Sequence, residues 1–307
     1  MIVAILSVIG CVASIVLGIL ANRRLAVTQT DTPPRFRVSG LIWGGILTAI
    51  QLFLGVWAAL GFVQDDALSA LVAQVLLTAA AVSCFARPYL AARLTALTAP
   101  GGTFPHPVIA TVICLALAGA CATLGLEIPS NHDLTWMYPL CLLLEYCLIT
   151  AAFAGLFFLF QRRSTPSSIL AVGLGILGLA EYFVILFKSM PIQPGDLFAL
   201  GTAAAVSAGY TYTLSAYCLY GIGCTGLAIA FIILAGFSRP ERAARSRRGL
   251  AVNLLVGVLC LGGITAHVTL IDYYNTLGIQ IYTWRPLESF YRQGYLPSFI
   301  TSAQTII

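Results

Sequence analysis

Charged residues are scarce in this 307-residue chain: Asp, Glu, Lys and Arg make up 9% of it, whereas 59% is hydrophobic. A soluble domain carries about 25% charged residues, so the composition excludes a water-soluble fold. The net charge of +5 does not indicate nucleic-acid binding, because the arginines lie in short connections between apolar segments and orient the chain in a bilayer. We therefore expect a polytopic membrane protein with no nucleic-acid partner.

Motifs of soluble catalysis are also missing from the sequence. It contains no phosphate-binding loop, no Gly-x-Ser-x-Gly and no His-Glu-x-x-His, and the closely spaced glycines at 173–178 lie inside an apolar span, where they favour helix packing. The nine cysteines lack Cys-x-x-Cys spacing and are typical of small buried residues. No second histidine or cysteine lies at ligand spacing from His267. We expect no catalytic residue, metal site or cofactor in this chain.

Long apolar runs dominate what is present. Eight windows reach the roughly 20 residues that a helix needs to cross a bilayer. The first window lacks a preceding basic region and a distinct cleavage site, so we interpret it as a retained span rather than a signal peptide. The sequence thus predicts an all-α fold, a polytopic bundle of about eight transmembrane helices. The windows cover about residues 2–21, 39–63, 67–86, 107–126, 136–160, 167–187, 214–237 and 250–271.

Lysine and arginine are distributed unevenly among the connections. Thirteen of the sixteen Lys and Arg residues follow odd-numbered spans, which leaves Lys188, Arg285 and Arg292 for the other side. The positive-inside rule makes the arginine-rich side cytoplasmic. We therefore expect a multi-pass membrane protein with both termini extracellular. The external loops then carry the acidic residues Asp65, Asp66, Glu127, Asp133 and Asp196.

The break after the sixth span is the stretch around which the chain is organised. We call residues 189–213 the shelf. Pro191 and Pro194 cannot continue a helix, so the sixth span ends near Lys188. Asp196 is placed to cap a new helix that runs to about Ala208, too short to cross the hydrocarbon. The sequence predicts a short interfacial helix on the outer face of the membrane.

The stretch after Leu270 is aromatic, polar and too broken to span. Its apolar ending is unlike a solvated tail. We therefore divide the chain into a transmembrane bundle, residues 1–271, and an extracellular connector, residues 272–307, that leads to a domain absent from this chain.

Ionisable groups within spans are costly and usually face a cavity or a partner. Glu145 lies inside the fifth span, Glu181 lies about two turns from the outer end of the sixth, and Asp272 is placed in the last turn of the eighth. Glu181 and Lys188 are seven residues apart, so they share a helix face about 10 Å apart. With Asp196 added, these five residues form the candidate site for a polar lipid head group or a cation. Lys188 is the group that would contact phosphate.

Simpler interpretations stand beside this one. Lys188 can extend to the lipid head groups without binding a specific ligand, each carboxylate can make one structural hydrogen bond, and Asp196 can serve as a helix cap. A self-contained transporter or channel with Glu145 and Glu181 as its ion-coupling pair is the alternative function. A structural scaffold, in which the charges only pair with one another, is a third.

The shelf region also carries a resemblance. The stretch EYFVILFKSMPIQPGDLFALGTAAAVSAGY resembles a segment of lipoteichoic acid synthase-like phosphoglycerol transferases, in which an apolar run leads to a basic residue, a proline and then Pro-x-Asp-Leu. The stretch YYNTLGIQIYTWRPLESFYRQGYLPSFI is similar to that family's connector between its last span and its external domain. The sequence differs at Glu181, where asparagine is expected, and at Lys188, where arginine is common. The matching residues are Lys188, Pro191, Pro194, Asp196 and Leu197.

The resemblance implies a division of labour. In that family an extracellular alkaline-phosphatase-like domain, with a threonine nucleophile and a divalent metal (Mn or Mg), acts on the glycerophosphate head group of phosphatidylglycerol or related lipids. None of those residues is in this chain. The chain would be the membrane half, which anchors its own external domain and presents a phosphatidylglycerol-like lipid.

Overall fold

The computed structural model of the chain is all-helical across the residues it describes. Eleven α-helices and three short 3-10 helices are present there, and the one β-bridge, between Val63 and Leu214, joins two loops. The described residues are 2–28, 34–63, 67–99, 106–131, 133–199, 209, 211–238, 246–282 and 284–306. The helices are α1 Ile2–Thr28, α2 Pro34–Ala59, α3 Ala67–Phe85, α4 Arg87–Leu97, α5 Pro107–Glu127, α6 Pro139–Leu159, α7 Ser164–Lys188, α8 Ala216–Ala235, α9 Arg247–Leu270, α10 Pro286–Gln293 and α11 Tyr295–Ile306.

Eight of these helices are long and apolar enough to cross a membrane: α1, α2, α3, α5, α6, α7, α8 and α9. They coincide with the eight windows of the sequence, which confirms the prediction of a multi-pass all-α bundle. Large apolar side chains such as Leu52, Leu140 and Leu259 are exposed on their outer surfaces. In a membrane protein such faces contact lipid, since lipid tails are as apolar as leucine.

Helix α8 lies at the centre of the bundle. It contacts α3 on one side and α5 and α7 on the other, and its side chains Ile229, Ile232 and Ile233 are buried. Helices α1, α2 and α3 pack against one another, whereas α9 packs against α6 and is mostly exposed. The bundle therefore consists of two groups of spans joined through α8.

One close helix contact in the second group depends on a glycine. A Cβ atom added at Gly178 of α7 would lie 2.6 Å from the carbonyl oxygen of Leu126 in α5. Small residues permit this approach of two backbones in a membrane. Within the glycine-rich run at 173–178, Gly175 and Gly178 thus serve helix packing, as the sequence indicates, whereas Gly173 faces open space.

The two ends of the bundle differ in composition. At the end that we call the arginine end, Arg87 of α4 is buried and donates a hydrogen bond to Ser39, and Arg162 donates to Asn253 of α9. The other end, which we call the shelf end, carries the described residues of the shelf, of the 128–138 connection and of the segment 271–306. Because consecutive spans cross the membrane in opposite directions, successive connections lie alternately at these two ends.

The C-terminal segment is folded onto the shelf end. Phe290 of α10 and Tyr295 of α11 belong to the main core, and Thr301 is also buried. Two short helices fit the prediction that this segment does not span. It is packed against the bundle rather than extended from it, and a following domain stays a prediction.

Candidate functional site

The break after α7 is built around Glu181. Helix α7 ends at Lys188, and Ser189 adopts a left-handed conformation with φ of 57°, which turns the chain back toward the helix. The backbone N–H of Ile192 then donates to the Glu181 carboxylate, at 3.2 Å to Oε1 and 3.0 Å to Oε2. Glu181 is fully buried and positions the start of the shelf.

Lys188 and Asp196 form an ion pair on the surface of the shelf. Lys188 Nζ donates to both carboxylate oxygens of Asp196, at 2.7 and 2.9 Å, and the backbone N–H of Gln193 donates to the same carboxylate at 2.9 Å. Partial burial acts to raise the pKa of Asp196, but the hydrogen bonds from Gln193 and Lys188 outweigh it, so the pKa is lowered. Lys188 and Asp196 remain 43% and 34% exposed.

Two expectations for the shelf need correction. Asp196 does not cap a following helix, because it lies within the 3-10 helix Pro194–Ala199 and binds the residues before it. The structure describes this short 3-10 turn instead of an α-helix beginning at Leu197, since Asp196 closes a loop back onto Gln193. The rest of that expected helix, residues 200–208, lies outside the described residues.

A second group of acidic side chains lies beneath the C-terminal segment. Glu127, the last residue of α5, and Glu145 of α6 are both fully buried. The backbone N–H of Tyr295, the first residue of α11, donates to Glu127 Oε1 at 2.6 Å. A Cβ atom added at Gly294 would lie 2.6 Å from Glu145 Oε2 and 3.3 Å from Glu127 Oε1. The N-terminus of α11 therefore rests on two carboxyl groups.

Glu127 is the residue that sequence reasoning placed wrongly. We expected it in an external loop, but the helix extends through it and the C-terminal segment covers it, so it is buried. Its signal in the sequence was its position at the very end of an apolar run, immediately before Ile128 and Pro129. The sequence contains no signal that α11, more than 160 residues later in the chain, covers Glu127.

Further contacts attach the C-terminal segment to the 128–138 connection. Asn131 Nδ2 donates to the carbonyl oxygen of Tyr291 at 3.1 Å, and the backbone N–H of Tyr138 donates to the carbonyl oxygen of Arg292 at 2.7 Å. The acceptors of both hydrogen bonds are main-chain carbonyl oxygens of α10. The bonds therefore depend on where α10 lies rather than on which side chains it carries.

The remaining candidate residue, Asp272, belongs to a different place. Helix α9 ends at Leu270, and Asp272 follows it in a turn where it accepts hydrogen bonds from Asn275, at 2.9 Å from the backbone N–H and 2.6 Å from Nδ2. These bonds lower its pKa. His267 packs edge-on against the buried Tyr273, with ring centroids 5.6 Å apart.

The five candidate residues thus fall into three arrangements. Glu181, Lys188 and Asp196 lie together at the start of the shelf, Glu145 lies with Glu127 under α11, and Asp272 closes the turn after α9. In the described part of the chain, no group of three or more His, Cys, Asp or Glu residues is arranged to hold a metal ion. Comparisons with family models, with curated proteins and with solved structures give no match to the chain.

Proposed function

We propose that this chain is the membrane-embedded region of a lipoteichoic acid synthase-like phosphoglycerol transferase, which anchors an external catalytic domain at the outer face of a bacterial cytoplasmic membrane. In this proposal the shelf end faces outward and both termini are extracellular. The shelf presents a phosphatidylglycerol-like head group to the external domain, where a divalent metal would serve the chemistry.

One observation carries the proposal. The two stretches that resemble this family begin at Glu181 and Tyr273, yet their described residues adjoin in space. A small crevice at the shelf end is lined by Pro191, Ile192 and Gln193 from the first stretch and by Phe290 and Tyr295, among others, from the second. If the shelf presents lipid to an external domain that follows the connector, the shelf and the connector have to lie next to each other.

The ion pair on the shelf is the part suited to a head-group phosphate. Lys188 is partly exposed and its charge is balanced by Asp196 at 2.7 Å, and a phosphate can replace a carboxylate as the partner of an ammonium group. Glu181 is the positioning residue, because it holds the backbone of Ile192. Glu145 and Asp272 lie in other arrangements, so this proposal does not place the head group against them.

Lipid binding tests the head-group contact. The full chain in nanodiscs of phosphatidylcholine is titrated with labelled phosphatidylglycerol, and we expect Lys188→Ala to weaken binding about tenfold, the equivalent of one charge-assisted contact. Arg285→Ala is the matched control, since Arg285 is also a shelf-end cation paired with a carboxylate, that of Glu288. Unchanged binding in Lys188→Ala, or equal loss in Arg285→Ala, contradicts the contact.

The family assignment has a separate test. The reading frame beyond codon 307 is sequenced, and we expect a downstream domain of several hundred residues with a threonine nucleophile and metal ligands. The whole protein should then release diacylglycerol from phosphatidylglycerol in a manganese- or magnesium-dependent reaction. A stop codon directly after Ile307 contradicts the assignment.

A second candidate, an ion-coupled transporter, is favoured by the three buried carboxyl groups at the shelf end. Glu145 adjoins Glu127, whereas Glu181 is engaged with Ile192, so the coupling pair would be Glu127 and Glu145 rather than Glu145 and Glu181. Proton flux into proteoliposomes that is lost in Glu145→Gln supports transport. Flux equal to that of empty liposomes contradicts it.

A further inference from the structure

The buried pair of Glu127 and Glu145 has no cation to balance it in the described part of the chain. The ion pairs described there are Lys188–Asp196, Arg285–Glu288 and Arg292–Glu288. Both carboxyl groups of the pair are fully buried. Two adjacent carboxylates that are buried with no cation beside them cannot both be ionised while the site stays closed, because neither their repulsion nor their desolvation is offset.

The two carboxyl groups have unequal surroundings. Glu127 accepts the hydrogen bond from Tyr295 and has the amide of Asn131 at 3.5 Å. Neither oxygen of Glu145 has a well-formed hydrogen bond within the described residues, although the carboxyl of Glu127 and the backbone N–H of Leu296 lie close by. Glu127 is thus placed to hold the negative charge, next to the positive end of the α11 dipole.

We propose that Glu127 and Glu145 hold one proton between them, residing on Glu145, and that this proton fixes α11 to the bundle. The ionised Glu127 receives the N-terminus of α11, and the neutral Glu145 lets Gly294 and Tyr295 close over the pair. Loss of the proton leaves two buried negative charges facing one helix N-terminus, and α11 separates from the bundle to hydrate them.

Other titratable groups that face the pair do not supply a balancing charge. Cys141 lies one turn before Glu145 on α6, and Tyr295 covers the pair from α11. Glu181 of α7 adds a further carboxyl group nearby, with Tyr291 of α10 beside it. Lys188 and Asp196 also act on Glu181, but they neutralise each other.

A metal ion is a poorer occupant than a proton. Hard cations such as Ca²⁺ take about six to eight oxygen ligands, whereas the site offers the four carboxylate oxygens, of which Glu127 Oε1 is taken by the Tyr295 N–H. The Cε methyl of Met137 also faces this position, 2.6 Å from where a Cβ on Gly294 would lie.

Hydrogen exchange tests the coupling between the proton and the docking of α11. The full chain in nanodiscs is exchanged between about pH 6 and pH 10, and rates for residues 296–306 are corrected for intrinsic chemical exchange. We expect protection of α11 to fall about tenfold or more across this range in the wild type, and to stay high in Glu145→Gln, which mimics the protonated carboxyl. Glu288→Gln, at an exposed carboxylate of α10, should behave like the wild type.

Two results overturn the proposal: wild-type protection that does not change with pH, or a Glu145→Gln variant whose α11 is unprotected at every pH. Infrared spectroscopy keeps the proposal testable if the variant does not fold. The C=O stretch of one protonated carboxyl should be present in the wild type at neutral pH and disappear as α11 loses protection. Its absence at neutral pH contradicts the shared proton. The proposal is independent of the transferase assignment, because it concerns only how α11 is held.

Discussion

The carboxylate of Glu181 accepts both of its hydrogen bonds from one backbone N–H, that of Ile192 eleven residues later. The pairing crosses the point where α7 ends and the chain reverses. This pairing explains how an ionisable residue is accommodated inside a span. The Glu181 carboxylate accepts the hydrogen bond of the Ile192 N–H, which Pro191 and the left-handed Ser189 direct toward the bundle. The start of the shelf at Ile192 is therefore held by a side chain from within α7.

Removing this carboxyl should destabilise the shelf. Glu181→Ala leaves the N–H of Ile192 without its acceptor, and a buried unsatisfied donor costs about 1–3 kcal/mol. Glu181→Gln retains an acceptor oxygen and should cost less. Thermal unfolding in detergent measures both, with Glu288→Ala as a control at an exposed ion pair worth at most about 1 kcal/mol. Equal stability of the alanine and glutamine variants contradicts the assigned role.

The Lys188–Asp196 pair should make the shelf sensitive to acid. The pKa of Asp196 is lowered in the folded protein, so its contribution is complete above the ordinary aspartate value, about 3.9, and is lost as the pH falls below that value through the folded pKa. Both groups are substantially exposed, so the effect should be under about 1 kcal/mol. Hydrogen exchange of residues 190–199 between about pH 5 and pH 2.5 measures it.

Asp196→Asn serves as the control for the acid response. This variant keeps an acceptor for the Gln193 N–H but has no charge to lose, so the pH dependence of exchange in the shelf should disappear. If exchange in the shelf of Asp196→Asn rises at low pH as much as in the wild type, another group causes the acid response and the prediction is wrong.

The approach of α7 to α5 can be tested with two glycines of the same helix. Gly178→Ala places a methyl group 2.6 Å from the Leu126 carbonyl oxygen, whereas a Cβ at Gly173 meets nothing within 4 Å. Overpacking of a close contact costs about 1–3 kcal/mol, so Gly178→Ala should lower the unfolding temperature. Gly173→Ala should be neutral or slightly stabilising, since alanine favours a helix. The opposite order contradicts the close contact.

A polar cluster joins the first three spans and gives a further prediction. Gln51 Nε2 donates to Thr78 Oγ1 at 3.0 Å, and Gln74 Nε2 donates to Ser7 Oγ at 2.9 Å. Interhelical hydrogen bonds in membranes are worth about 0.6–2 kcal/mol. Gln51→Leu should therefore lower the free energy of unfolding by about this amount, whereas Leu52→Ala on the exposed face should have little effect. Unfolding titrations in mixed micelles compare the two.

The fold was largely accessible from the sequence, because a span of apolar residues is recognised by length and composition alone. The end of α7 was accessible too, since Pro191 and Pro194 exclude a continuing helix. The partners of the polar groups were not. That Glu181 binds Ile192, or that Glu127 receives Tyr295, depends on chain reversals and on the packing of distant segments, and neither leaves a periodic signal in the sequence.

Helix α9 has a consequence for how the protein responds to its lipid surroundings. Its 24 residues amount to about 36 Å, more than the roughly 30 Å of a typical hydrocarbon layer. Hydrogen bonds hold α9 to the rest of the protein near both of its ends. Near one membrane surface the side-chain amide of Asn253 donates to Gln161, and near the other the side-chain amide of Gln304 donates to the carbonyl oxygens of Val268 and Ile271. A change in bilayer thickness that tilts α9 must strain the hydrogen bonds at one of these two ends. The length of the lipid acyl chains therefore affects how the C-terminal segment is held through Gln304.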